Sequence, residues 1–269
     1  MPQRIQSPSS INYYNMCPRC YYYRYIGKLS LDPSIHLIRG KIVHKALEDF
    51  FDLKTDGIDK EHYEIELNII LQSIFKQRWE ESKDQLDELK LDEKQEKYFF
   101  EESVNMLNNW FNRFIKKVIT REEKTNFKEA FDTAKPQTEV HFISEEHKVQ
   151  GYIDAIEEVA GDVSLIDYKT SRMDHMTDEY RLQLAIYALL YNEKYGKHPN
   201  SVGIDFLRKN KKYLKVDQEL IDHAIEQCRL IQEKTKTDNI EDYPQSGHRF
   251  CECSKYMDVL EKTTLNKYF

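Results

Sequence analysis

Two carboxylates and a lysine carry the clearest chemistry in this chain: Asp154 in Gly151-Tyr152-Ile153-Asp154, and Asp167 with Lys169 in Leu165-Ile166-Asp167-Tyr168-Lys169-Thr170-Ser171. Strand side chains repeat every two residues, so Val163, Leu165, Asp167 and Lys169 share one face of a short strand. The segment Val149 to Ile156 reads as a preceding strand, and a two-residue turn at Ala160-Gly161 or Gly161-Asp162 joins the two. Those turns set Asp154 opposite Asp167 or opposite Lys169, and cross-strand opposites share a face. A loop one residue longer or shorter would turn Asp154 to the other side. Two acids beside a lysine can be a plain surface ion-pair cluster. Asp167, however, ends an apolar strand, where functional groups are often placed. Hard carboxylate oxygens hold Mg²⁺ or Mn²⁺, which polarises a phosphodiester and lowers the pKa of bound water. Lys169 would then position or deprotonate that water, and the chemistry is metal-assisted phosphodiester hydrolysis.

The elements that must position these groups follow from periodicity. Arg39 to Phe51 forms an amphipathic helix, with Ile42, Ala46 and Phe50 in one row and Val43, Leu47 and Phe51 in the next. His44 borders that stripe, where an isolated histidine is usually a packing residue. The charged stretch from about Asp59 to Lys128 reads as an inserted helical layer. Its acidic run from Glu80 to Glu102 reads as a solvated face or loop with no chemistry. Gln137 to Phe142 alternates as a first strand. Asp178 to Tyr195 is a helix that places Gln183 and Tyr187 one turn apart, and Val202 to Leu207 is a further strand. The run Arg208, Lys209, Lys211 and Lys212 leads into another short strand and is a candidate track for DNA phosphates, or an ordinary hairpin tip. Asp217 caps a last long helix, whose apolar stripe includes Cys228.

The 269 residues suffice for one large domain or two small ones, and the formal net charge of −7 argues against nucleic-acid binding through total charge. No apolar run approaches a membrane span, and Met-Pro-Gln-Arg at the start lacks a secretory h-region, so a soluble, cytoplasmic protein is expected. Of the five cysteines, Cys17 with Cys20 and Cys251 with Cys253 form close pairs, which in a reducing compartment point to metal rather than disulfide. Six tyrosines surround the first pair and read as packing or as a base-stacking surface.

Taken together, these residues resemble the RecB-like branch of the PD-(D/E)XK nuclease superfamily, most closely its stand-alone CRISPR-associated exonucleases. Four motifs stand in the family's order: Gly40 to His44, Gly151 to Asp154, Asp167-Tyr168-Lys169-Thr170, and Gln183 to Tyr187. The resemblance implies an α/β (α+β) fold, a mixed sheet flanked by helices, in one domain over 1–269. A helical insertion would span about 59–130, and residues 1–30 and 240–269 would form a cysteine-clamped subdomain. It further implies that His44, Asp154, Asp167 and the Tyr168 carbonyl ligate Mg²⁺ or Mn²⁺, that Lys169 assists the attacking water, and that Gln183 and Tyr187 steer the DNA backbone. Glu139 sits on the first strand, where relatives also carry a glutamate; its role, ligand or supporting carboxylate, stays open.

The family's iron-sulfur members use one N-terminal cysteine and three from the tail. Here Ser254 and Leu260 fall near where two tail ligands would be. Cys17, Cys20, Cys251 and Cys253 remain as four thiolates for a [4Fe-4S] cluster, or alternatively for Zn²⁺. The expected function is a metal-dependent deoxyribonuclease, an exonuclease on single-stranded or free ends in DNA repair, recombination or CRISPR adaptation, with a helicase or CRISPR adaptation proteins as partners. The rival class is a non-catalytic DNA-binding or assembly subunit, and an RNA nuclease is a third possibility.

Overall fold

The computed structural model describes residues 4–59 and 61–265. Residues 1–3 and 266–269, the outer ends of the two segments expected to carry the cysteine region, lie outside the described residues. The chain opens with α1 (Pro8–Met16), α2 (Pro18–Tyr21) and a π-helical turn over Tyr22–Ile26. Ser7 starts α1 with a reciprocal capping box to Ser10, and Pro8 occupies the first turn, where its missing N–H costs nothing. Next come α3 (Ile35–Phe51), α4 (Tyr63–Glu81), α5 (Lys83–Glu88), α6 (Glu93–Glu122) and α7 (Phe127–Ala134). Strands β1 (Gln137–Ser144), β2 (Val149–Val159) and β3 (Asp162–Lys169) precede α8 (Asp178–Tyr195). The chain continues through β4 (Ser201–Phe206), β5 (Lys211–Lys215), α9 (Gln218–Lys234) and α10 (Cys253–Leu265).

The five strands make one sheet in chain order, antiparallel throughout except for β3 and β4. Those two run parallel because α8 intervenes as a crossover, which a parallel pair requires. Between β2 and β3 the turn is Ala160-Gly161, with Val159 opposite Asp162 and both turn residues at positive φ, +53° and +89°. That is the twist-matched two-residue hairpin, and it selects the first of the two registers open to the sequence. Continuing its ladder one step beyond Ala155 opposite Ile166 brings Asp154 beside Asp167.

Helices α3, α4, α6 and α7 cover one sheet face, where Phe50, Phe51, Trp110 and Phe114 pack with Ala155, Ile166 and Tyr168. Helices α1, α8 and α9 cover the other, against Val163, Leu165 and Ile204. The helices of the stretch expected as an insertion therefore belong, with α3, to one of the two layers that bury the sheet. Cys228 lies within the second core, as its helical stripe implied. Helix α8 is buried on more sides than its stripe suggested, Leu184, Tyr187, Ala188 and Leu190 included, because it sits between the sheet and two other helices. Among the described residues no helix is long and apolar enough to cross a membrane.

Candidate active site and cysteine centre

The two layers part where the β2–β3 hairpin opens, leaving a cavity of about 920 Å³ lined by His44, Glu139, Asp154, Lys169, Arg172 and Arg208, among others. Helix α3 supplies His44, whose Nδ1 lies 3.5 Å from Asp154 Oδ2. The same oxygen accepts the Tyr168 N–H at 2.6 Å. In a strand the N–H and C=O of one residue point to the same side, so the Tyr168 carbonyl faces this opening as well. On β3, Asp167 Oδ1 accepts from Gln183 Nε2 at 2.8 Å, and Lys169 Nζ stands 2.7 Å from Asp167 Oδ2. Apart from this ion pair the buried Oδ2 has no hydrogen-bond partner. A carboxylate oxygen with one partner keeps a second lone pair for a cation.

Glu139 reaches the site from β1 through a backbone at φ +50°, a conformation unfavourable for a side chain larger than glycine. Strain of this kind persists where the surroundings enforce it, often at functional sites. Ligand atoms of His44, Glu139 and Asp154 all lie within 4.8 Å of one another, so the group drawn together is His44, Glu139 and Asp154, with Asp167 beside it and held by Lys169 and Gln183. Hard oxygens with one imidazole suit Mg²⁺ or Mn²⁺.

The charges are mutually dependent. Burial disfavours a charged His44, but the neighbouring Asp154 outweighs it and raises the imidazole to about 9. Burial lifts Asp167 to about 6 despite Lys169, and burial with the Asp154 charge lifts Glu139 to about 7. Lys169 is held as the ammonium: burial works against its charge, and Asp167 overrides that.

Two groups of expected DNA contacts lie elsewhere. Tyr187 is buried, its hydroxyl 3.5 Å from Asp167 Oδ1 and within 2.8 Å of Gln183 Nε2, so it faces the carboxylate and not a nucleic-acid surface. Gly151 explains the close approach: a Cβ there would stand 3.0 Å from the Tyr187 ring. The run from Arg208 to Lys212 is divided, because Arg208 and Lys209 sit in the turn before β5 and strand alternation sends Lys211 and Lys212 to opposite faces. Arg208 is held by Glu102 at the cavity rim, and Lys211 is tied between Glu157 and Asp205 beneath α6. Lys209 and Lys212 stay exposed, Lys209 3.7 Å from Asp174.

Sequence reading missed Arg39 and Glu102. Arg39, fully buried, donates to Glu102 and to the Thr170 carbonyl, which Arg208 also approaches at 3.1 Å. Glu102, assigned to a solvated face, thus fastens α3, α6 and the end of β3 together. An arginine directly before Gly40 was the only local signal.

At the chain ends, Cys17 and Cys20 of the first segment meet Cys251 and Cys253 of the last, with all four sulfurs within 4.8 Å of one another. The tyrosines pack around them: Tyr21 stacks on Tyr243, and the Tyr13 hydroxyl bonds Glu252 and Tyr256. Crowding forbids four free thiolates. Burial opposes ionisation of Cys17, yet the Ser246 N–H brings it to about 6, while Cys253 is pushed up to about 12 by burial and Cys20 is raised further. A bound cation would reconcile them, and four thiol donors are compatible with an iron–sulfur cluster or with zinc.

The sequence profile of the PD-(D/E)XK nuclease superfamily matches residues 6–256. The chain is 28% identical over 146 residues to the CRISPR-associated exonuclease Cas4 of Francisella tularensis subsp. novicida (strain U112), covering 53% of this chain and 72% of that protein. A crystal structure from Eubacterium rectale, described as a candidate exonuclease, superposes with a TM-score of 0.51 over 94% of this chain and 88% of that one. At 12% identity that likeness is one of fold. The profile spans all four motifs and all four clustered cysteines, from α1 to the start of α10, and the sheet carries Asp154 and Lys169 at one opening with Asp167 buried beside them. The chain belongs to the PD-(D/E)XK nuclease superfamily, within which it resembles the RecB-like CRISPR-associated exonucleases.

Proposed function

We propose that this protein, as a single domain, is a Mg²⁺- or Mn²⁺-dependent deoxyribonuclease that degrades DNA from single-stranded ends. The observation that carries the reading is the convergence of His44, Glu139, Asp154 and Lys169 on one cavity, with Asp167 buried beside it and paired to Lys169 at 2.7 Å. His44, Asp154, Asp167 and the Tyr168 carbonyl would hold the cation, with Glu139 as an adjoining carboxylate. A bound cation supplies Lewis acidity toward the scissile phosphate. Lys169, an ammonium in this setting, donates to a phosphate oxygen and stabilises charge as it develops. Gln183 and Tyr187 orient Asp167 and so act as positioning residues. Exposed Lys41 and Arg172, with Arg208, give the rim a positive charge suited to a DNA backbone. DNA repair, recombination or CRISPR spacer acquisition would use such an activity, with strand separation left to a partner helicase.

The test is degradation of single- and double-stranded DNA, and of RNA, labelled at each end in turn, with Mg²⁺, Mn²⁺ or EDTA. Metal-dependent release of short products from single-stranded DNA ends is expected, abolished by Asp154→Ala with DNA binding retained. Cleavage that survives EDTA, or that Asp154→Ala leaves intact, rejects the proposal.

A further inference from the structure

The four cysteine sulfurs form a closed ring of contacts. Cys17 and Cys251 are 3.5 Å apart, Cys251 and Cys20 3.8 Å, Cys20 and Cys253 3.4 Å, and Cys253 and Cys17 3.8 Å. None is bonded to another as a disulfide. Four thiolates placed about 2.3 Å from one central ion occupy a tetrahedron with edges of about 3.8 Å. The four contacts match four of its six edges, and the other two, Cys17 to Cys20 and Cys251 to Cys253, are within 4.8 Å, shorter than the diagonals of a flat square of that size. A [4Fe-4S] cluster binds each thiolate through a different iron at the corner of a cube, so the cube stands between the sulfurs and keeps them out of mutual contact. Accepting one here would require every sulfur to move outward, into the packed tyrosines around the site, Tyr23 and Tyr256 among them.

The surroundings also fit a small, closed site. The Ser246 N–H points at Cys17 Sγ from 3.4 Å, and the Glu252 N–H points at Cys20 Sγ from 3.2 Å. N–H groups directed at ligating sulfurs offset thiolate charge. Each chain end contributes one chelating pair, Cys17-Pro-Arg-Cys20 and Cys251-Glu-Cys253, and three of the four side chains are buried. With four protein ligands no position is open for a substrate, which is the pattern of a structural site.

We propose that Cys17, Cys20, Cys251 and Cys253 hold a single tetrahedral Zn²⁺ that clamps α2 to the start of α10. The clamp closes a loop of more than two hundred residues and fixes α1, which packs on α8, the helix that carries Gln183 and Tyr187. It is independent of the proposed nuclease reaction, and neither stands or falls with the other.

Full-length protein purified anaerobically, without added metal, from cells supplied with both iron and zinc should contain one zinc per chain and no acid-labile sulfide, and should be colourless. Protein from cobalt-fed cells should show the intense visible bands of tetrahedral cobalt thiolate. Four irons with sulfide, a single iron, or no metal at all would each overturn the proposal. Cys17→Ser and Cys251→Ser should lose the zinc and Cys228→Ser should retain it. Because the serine variants can fail to fold, the second readout uses the intact clamp in the Asp154→Ala background, where the cavity's cation site is disabled. There, EDTA should lower the melting temperature by about 10 °C or more, and an unchanged melt overturns the clamp.

Discussion

Removing the Glu102 carboxylate tests whether the fastening between α3, α6 and β3 holds the site together. Glu102 accepts from both Arg39 and Arg208, and both arginines also donate to the Thr170 carbonyl, Arg39 at 3.0 Å and Arg208 at 3.1 Å. The three side chains keep 14%, 1% and 16% of their surface exposed, in that order, so water cannot replace the lost carboxylate at Arg39. Breaking a buried pair by deleting one partner costs about 3–5 kcal/mol, because the stranded charge remains desolvated. Domains of about 150–250 residues lose roughly 2–4 °C of melting temperature per kcal/mol. Glu102→Ala should therefore melt about 6–20 °C below wild type in a circular-dichroism or dye-binding melt. Two stranded guanidiniums also repel each other, so adding Arg208→Met to Glu102→Ala should restore part of the loss. A drop under about 2 °C, the size expected of an exposed pair, would refute the argument. So would a double variant that melts below the single one, since that outcome means the arginines stabilise through packing and not through the shared carboxylate.

Lys169→Ala should leave Mn²⁺ binding nearly intact and slow cleavage by roughly 10²-fold or more; equal rates would remove Lys169 from the reaction. Gln183→Ala should lower kcat by roughly tenfold while DNA affinity holds, because Gln183 acts through Asp167; a change confined to affinity would return it to the role of DNA contact. Asp154 raises His44 to about 9, so a cation must displace a proton at neutral pH. Mn²⁺ affinity in the absence of DNA should thus climb between about pH 7 and 9, by up to about tenfold per unit, and level off above. Isothermal titration at several pH values on wild type and His44→Gln checks this: the same slope above about pH 8 in both would remove His44 from the ligand set.

Much of this protein was legible in order along the chain. Alternation fixed the shared face of Asp167 and Lys169, and a two-residue turn limited Asp154 to a place opposite Asp167 or opposite Lys169, because strand period and hairpin length are local properties; the folded hairpin chose Asp167. The helix from Asp178 to Tyr195 and the Asp217 cap were likewise readable from periodicity and capping. The grouping of the candidate cation ligands was decided by tertiary structure: β1 turns Glu139 inward through an unfavourable backbone angle, and α3 carries His44 to Asp154 across a gap of more than a hundred residues. The fate of the basic run was decided there too. The sequence shows four cations close together, but Arg208, Lys209 and Lys211 each met a different carboxylate in the fold while Lys212 stayed exposed, since a charge near a sheet is governed by whichever carboxylate the fold brings within a few ångströms. The cysteine pairs announced four thiols, and only the folding together of the two chain ends set the distances between their sulfurs, because local spacing within each pair does not determine the separation between pairs.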